Sequence, residues 1–296
     1  MEFNWKKIEL SDKDVIQGYY RRAKLQNCES TFANNYLWAP HYKIRYTIIE
    51  GMLAFLSDEE RPCVSFPLGE GDLKKTMDTI LTWFEERERP FKMNLVNPSQ
   101  FALLEELYPD KFQIEYNRDY SDYVYESEKL LTLSGKRLHG KRNHINKFKE
   151  TYPDWSYEAI TSENAQECLE MAQEWRIRNG CDEDEAKDAE FCVTLKALKL
   201  REELELKGGL LRADGRVVAF TLGEPGSGDT FIVHIEKAFA DVQGAYPMIN
   251  QQFVEHEAAG YPYVNREEDT GAEGLRKAKL SYRPVMLLEK GIIRLK

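Results

Sequence analysis

No run of apolar residues in this 296-residue chain approaches the ~20 that a membrane-spanning helix needs. An integral membrane segment is therefore not expected, although contact with a lipid surface stays open. The opening Met1-Glu2-Phe3-Asn4-Trp5-Lys6-Lys7 does not read as a secretory leader. Cysteine is scarce: Cys28, Cys63, Cys168, Cys181 and Cys192 make an odd set of 5 with no C-x-x-C. That argues against a disulfide framework and against a thiolate zinc site, so no metal ligand set is expected. Positive charge is also short. A net charge of −10 excludes a generic nucleic-acid binder, and any polyanion contact must come from a local basic patch. These absences describe a cytoplasmic protein.

What is present supports packed cores. The hydrophobic share of 42% and aromatic share of 12% suffice for two domains of ordinary size. In the first half, Ser11 with Asp14 opens a helix to Leu25, and Thr31 to Tyr42 reads as aromatic and irregular. A hairpin over 43–57 turns at Glu50-Gly51. A strand at 63–66, a helix to Arg89, a strand at 91–96, a helix from Pro98 and strands at 112–117 and 123–126 follow. The second half repeats the order. Helices at 162–178 and 183–207 precede a hairpin at 209–223, a strand at 230–236, a long helix, a strand at 261–264, a helix at 272–280 and a strand at 285–288. The expectation is an α/β fold of mixed sheets, with domains 1–130 and 131–296 and a boundary near Ser127 to Ser134.

The stretch from Gly228 to Gly260 organises the second half. Phe231, Val233 and Ile235 alternate with Ile232, His234 and Glu236, a strand period with a polar pair at its end. The turn Val242-Gln243-Gly244-Ala245 leads to a helix that tolerates Pro247 in its first turn and stops at Gly260. A strand ending against a helix start offers free N–H groups and a positive dipole end, a seat for an anion. Strand–turn–helix units that bind nothing have the same look.

Two further stretches stand out. Ser134 to Lys149 contains no acid. As a helix it sets Leu138, Ile145 and Phe148 in a narrow apolar stripe. It reads either as a solvated interdomain helix or as a contact for phosphates. His139 and His144 have no carboxylate or thiol beside them and are hydrogen-bonding rather than metal-binding candidates. In Asn265 to Pro284, Thr270 and Glu273 can form a capping box, and Gly271 and Gly274 allow close approach to the helix start. Arg276 and Lys279 share a face. An ordinary capped, exposed helix is the alternative.

The element order resembles the GCN-five-related N-acetyltransferase fold, which implies two tandem GNAT-like domains. In that family two parallel strands splay apart, and the following helix N-terminus holds the carrier's phosphates; here only Gln243-Gly244-Ala245 matches that loop. The islands at Lys136 to Phe148 and Asn265 to Pro284 resemble those of bacterial proteins with a phosphatidylglycerol lysyltransferase C-terminal domain, across nearly the whole chain. That resemblance implies transfer of an amino acid from aminoacyl-tRNA to a lipid head group or a cell-wall amine.

The resulting expectation is an acyl- or aminoacyl-transferase acting from a phosphate-bearing carrier, aminoacyl-tRNA or acetyl-CoA, on an amine or hydroxyl. Lys136, Arg142, Asn143, Gln243, Gly244, Ala245, Tyr246, Arg276 and Lys279 are the carrier-binding candidates. His234 and Glu236 are candidates for base work or acceptor positioning, Asp269 for a catalytic role and Tyr282 for proton donation. A buried polar pair is the structural alternative for His234 and Glu236. An acetyl-CoA-dependent N-acetyltransferase and a non-catalytic binding module are the alternative functions. The first domain reads as non-catalytic, because Pro67 to Asp72 carries two acids where a phosphate would sit.

Overall fold

The computed structural model describes residues 4–181 and 184–296. The leader reading at Met1–Phe3 and the helix start at Glu183 lie outside the described residues. In chain order the elements are β1 (Lys6–Lys7), α1 (Lys13–Ala23), α2 (Phe32–Tyr42), β2 (Ile44–Ile49), β3 (Met52–Ser57), β4 (Cys63–Ser65), β5 (Leu68–Gly69), α3 (Leu73–Glu85), β6 (Lys92–Val96), α4 (Pro98–Leu107) and β7 (Phe112–Tyr116). They continue as β8 (Asp122–Glu126), α5 (Ser127–Thr132), α6 (His139–Thr151), β9 (Ser156–Ala159), α7 (Ala165–Arg178), α8 (Glu185–Lys199), β10 (Lys207–Ala213), β11 (Arg216–Pro225) and β12 (Thr230–Ala238). The last are α9 (Ala245–Phe253), β13 (Tyr263–Asn265), α10 (Glu273–Leu280), β14 (Met286–Leu288) and β15 (Gly291–Leu295).

Two compact units emerge. The first holds Met1–Asp122, Glu268–Arg276 and Leu287–Lys296; the second holds Tyr123–Glu267 and Lys277–Met286. Each is built on a mixed sheet with helices, an α/β arrangement. No helix among the described residues is long and apolar enough to cross a membrane.

The first unit's sheet runs β1-β2-β3-β4-β6-β15-β7, with β5 on β3. Its β4 and β6 are parallel, joined through α3. The apolar positions of α3 recur at helical spacing, so Met77, Ile80 and Phe84 fall together and pack with Met93, Val96, Phe112 and Ile293 in one core. Burying each such side chain contributes about 1.5–3 kcal/mol. Two features depart from the sequence reading. Phe32–Tyr42 is a helix, capped by the Thr31 side chain on the Asn34 N–H at 3.2 Å and closed by left-handed Lys43. Its mixture of Asn, aromatics and Pro40 has no clear apolar period to announce it. The short segment Gly291–Leu295, not read as a strand, lies antiparallel between β6 and β7.

The second unit's sheet runs β14-β8-β13-β12-β11-β10-β9. Strand β12 is buried along most of its length through Phe231, Ile232, Val233 and Ile235. Helix α9 lengthens into a turn of π-helix at Val254–Ala258. The acid-free stretch forms α6 despite Gly140, and Ile145 and Phe148 are buried as the stripe requires. The capping box at Thr270 does not form. Thr270 has a left-handed φ of 49°, α10 starts at Glu273, and Asp269 closes the turn instead by accepting from the Gly271 N–H at 2.9 Å.

Candidate functional site

The site grows from an interruption in β12. Leu222 pairs with Ile235 and Gly223 with Val233, which leaves His234 as the extra residue of a β-bulge. Gly223 permits this, since a Cβ there would lie 2.4 Å from the Ile232 carbonyl oxygen. A second break lies on the other side. β12 runs parallel to β13 only through Thr230, Phe231 and Ile232. Beyond Ile232 the two strands no longer pair, and the edge of β12 carrying His234 and Glu236 opens.

Side chains clasp that opening. The His234 ring nitrogens lie 2.7 Å from Glu267 Oε1 and 3.0 Å from Glu224 Oε1. Burial alone would lower the imidazole pKa, but the bonds to Glu224 and Glu267 outweigh it and raise it to about 10. His234 is thus a doubly donating imidazolium at neutral pH, not a free base. Glu236 accepts from Arg266 Nη2 at 2.7 Å and from Asn250 Nδ2 at 3.0 Å. Arg266 lies 4.8 Å from the Tyr282 ring centre, and the Lys141 ammonium lies 4.0 Å from the same centre. Burial raises the Tyr282 phenol well above its ordinary range, so it stays protonated. Burial, then the Arg266 charge, lower the Lys141 ammonium to about 8 against the pull of Glu236.

Tyr282 also lines a groove of about 420 Å³ with Lys129, Lys136, Arg137, Arg283 and Glu126. Four cations against one acid make this wall positive. Of the sequence candidates, the groove brings together Lys136 and Tyr282, and the clasp gathers His234 and Glu236.

The other candidates are engaged elsewhere. Gly244 caps α9 with φ 87°, and a Cβ there would meet the His144 carbonyl oxygen at 2.3 Å. The backbone of α6 therefore packs on the turn that the sequence reading offers to phosphates. The Ala245 N–H donates to the Val242 carbonyl at 3.1 Å, and Tyr246 sets its hydroxyl against Trp175 and the Ala238 backbone. Gln243 is exposed beside them. Arg142 Nη1 donates to the Leu133 and Gly135 carbonyls, and Asn143 bonds the His139 ring at 3.2 Å. Lys279 donates to the Arg266 and Glu267 carbonyls at 2.7 and 3.2 Å, which fixes the strand exit on which the clasp depends. Asp269 and Arg276 belong to the first unit. There the fully buried Asp269 accepts from Arg276 Nε and Nη2 at 2.9 and 2.7 Å, and Arg276 also holds Asp119.

Sequence reasoning missed Glu224, Arg266, Asn250 and Lys141 as site members. Arg266 and Lys141 sit inside the two stretches singled out above, whereas Glu224 and Asn250 come from β11 and α9. It also missed a cluster in the first unit. There buried Lys290 Nζ lies 2.6 Å from Asp122, 2.5 Å from Glu29 and 3.5 Å from Cys28 Sγ. Cys28, Glu29 and Glu268 converge closely enough for a metal ion, but the Lys290 ammonium supplies their positive charge.

Residues 20–292 match the family described as phosphatidylglycerol lysyltransferase, C-terminal. The chain belongs to this family. A conserved protein of unknown function from Bacteroides thetaiotaomicron is similar in structure, with a TM-score of 0.95 and 40% identity over 100% of both chains. The L-PGS of Bacillus licheniformis shares the fold at a TM-score of 0.68 and 13% identity, over 99% of this chain and 94% of that one. An uncharacterised protein of Mycoplasmoides gallisepticum is 23% identical over 189 residues, which span 62% of this chain and 59% of that protein. Membership of the phosphatidylglycerol lysyltransferase C-terminal family, on this fold, suggests an acyl- or aminoacyl-transferase.

Proposed function

We propose that the second unit transfers an aminoacyl group from aminoacyl-tRNA to an amine or hydroxyl acceptor. The observation that carries this reading is the open edge of β12, where a charged, largely buried clasp adjoins a cation-lined groove through Tyr282. The groove's Lys136, with Lys129, Arg137 and Arg283, meets the carrier's phosphates. Glu236 positions the acceptor and holds Arg266 in place. As the acceptor's nitrogen or oxygen bonds the acyl carbon and the ribose ester bond breaks, Tyr282, kept protonated, gives its proton to the departing ribose oxygen and takes back the proton that the acceptor loses. His234 acts as a fixed positive brace rather than as a base. In the first unit the equivalent helix start is filled by the chain itself, since the Asp72 side chain accepts from the Lys75 N–H at 3.0 Å; this supports a non-catalytic role there.

The acetyl-CoA reading needs the α9 N-terminus for phosphates, and the approach of α6 to Gly244 favours the tRNA reading over it. The test is direct. The purified chain is mixed with lysyl-tRNA or alanyl-tRNA, or with acetyl-CoA, and loss of the acyl ester is followed. Accelerated, acceptor-dependent loss of the aminoacyl ester, reduced about 10²-fold or more by Tyr282→Phe, supports the proposal. Transfer from acetyl-CoA alone supports the alternative. Carrier binding without any transfer supports a binding module.

A further inference from the structure

Among the described residues, two buried polar atoms beside Glu236 have no hydrogen-bond partner. One is Arg266 Nη1, a charged donor; the other is Asn250 Oδ1, an acceptor on a residue 1% exposed. Both belong to side chains that already grip Glu236, Arg266 through Nη2 and Asn250 through Nδ2. Lys141 adds to the surplus of donors, since its ammonium rests on the Tyr282 ring. A buried charged donor left unmade costs several times a typical bond's net worth. Such a cost is maintained where a ligand relieves it. The donors state which ligand: Arg266 Nη1 and the Lys141 ammonium, held against a ring face, both call for an acceptor with lone pairs, which an anion supplies best.

We propose that the second unit holds a small molecule or chain end through a terminal carboxylate, taken between Arg266 Nη1 and the Lys141 ammonium against the Tyr282 ring. A monoanion meets both donors, whereas a phosphomonoester dianion would set a second negative charge beside Glu236 and the two carboxylates on His234. Arg266 Nη1 is closed to solvent, so the group must enter end-on after Lys141 swings aside. A phosphodiester, substituted on both sides, has no free end to offer. Asn250 Oδ1 then accepts an N–H from the same molecule, which fits an acyl-amino acid or a peptide C-terminus. The inference rests on the transferase reading only in making this molecule the acceptor; binding stands without transfer.

The test uses the full chain with no acyl donor, so failed transfer cannot mask it. Binding of N-acetylglycine, its neutral relative N-acetylglycinamide, methyl phosphate and dimethyl phosphate is measured by calorimetry at pH 7 and pH 8.5. N-Acetylglycine is expected to bind about tenfold or more tighter than the other three. At pH 8.5 its binding should take up part of a proton, because the carboxylate returns Lys141 to its charged form. Lys141→Met, which breaks no hydrogen bond, should lose about tenfold in affinity and all of the uptake while melting like the parent. Equal binding of the amide, tighter binding of dimethyl phosphate, unchanged affinity in Lys141→Met, or no saturable binding of N-acetylglycine would each overturn the proposal.

Discussion

His234 Nδ1 lies 2.7 Å from Glu267 Oε1, across an opening where their two strands have stopped pairing. This contact and the Glu236–Arg266 pair tie the two segments together through ionised side chains where main-chain pairing has ended. The edge of β12 is thereby held open in the middle of the sheet, with His234 and Glu236 fixed by ionic partners.

The first prediction concerns pH. The folded pKa of His234, about 10, exceeds its unfolded value of 6.5. A raised pKa contributes stability that is fully present below 6.5 and is lost as pH rises through 10. His234→Gln should cost about 3–5 kcal/mol in urea unfolding at pH 6, with the penalty shrinking steadily toward pH 10. A pH-independent difference would show that the imidazolium is not the stabilising form.

Gly244 gives a second. An alanine there must adopt φ 87° and displace the α6 backbone. Gly244→Ala should lose about 2–4 kcal/mol of stability. If the glycine served only a bound carrier, the melting temperature would not move.

Charge on the groove wall can be separated from charge inside the fold. Gln at Lys136, Arg137 or Arg283 should leave stability within about 0.5 kcal/mol and lower the salt slope of tRNA binding by about 1 each. Asp269→Ala should instead destabilise the chain by about 1–3 kcal/mol, because it removes the buried acceptor of the Gly271 N–H and of the Arg276 guanidinium. Melting curves and salt titrations of the same variants distinguish the two classes.

Thiol chemistry offers a cheap check of burial. Cys192 is exposed, while Cys28, Cys168 and Cys181 are buried with pKa values raised chiefly by desolvation. Native protein should show fast labelling at Cys192 and slow labelling at those three, which should react only on unfolding. Rapid labelling of Cys28 would contradict its enclosure with Lys290 and Asp122.

Much of the fold was legible because the segments with strong periodicity told the truth. The apolar spacing of α3, the alternation in β12 and the turn at Glu50-Gly51 each led to the element observed. α2 was hidden by its aromatic and Asn-rich mixture, and β15 by its brevity. The site was legible in place but not in wiring. His234 and Glu236 were visible as polar residues in an apolar strand. Their partners Glu224, Asn250 and Arg266 come from three other segments, and the bulge that leaves His234 unpaired depends on Gly223 in a neighbouring strand. No local pattern encodes such pairings. Carrier roles read for Arg142, Lys279 and Arg276 rested on charge alone, and each of these cations is already hydrogen-bonded within its own unit.

Strand β15 sits between β6 and β7, yet it is synthesised after the whole of the second unit. While the ribosome is still making the intervening residues, β6 and β7 each wait with an unfilled edge. The first half of the chain to emerge is therefore the last to finish folding, and a chaperone that shields bare strand edges should hold it longest.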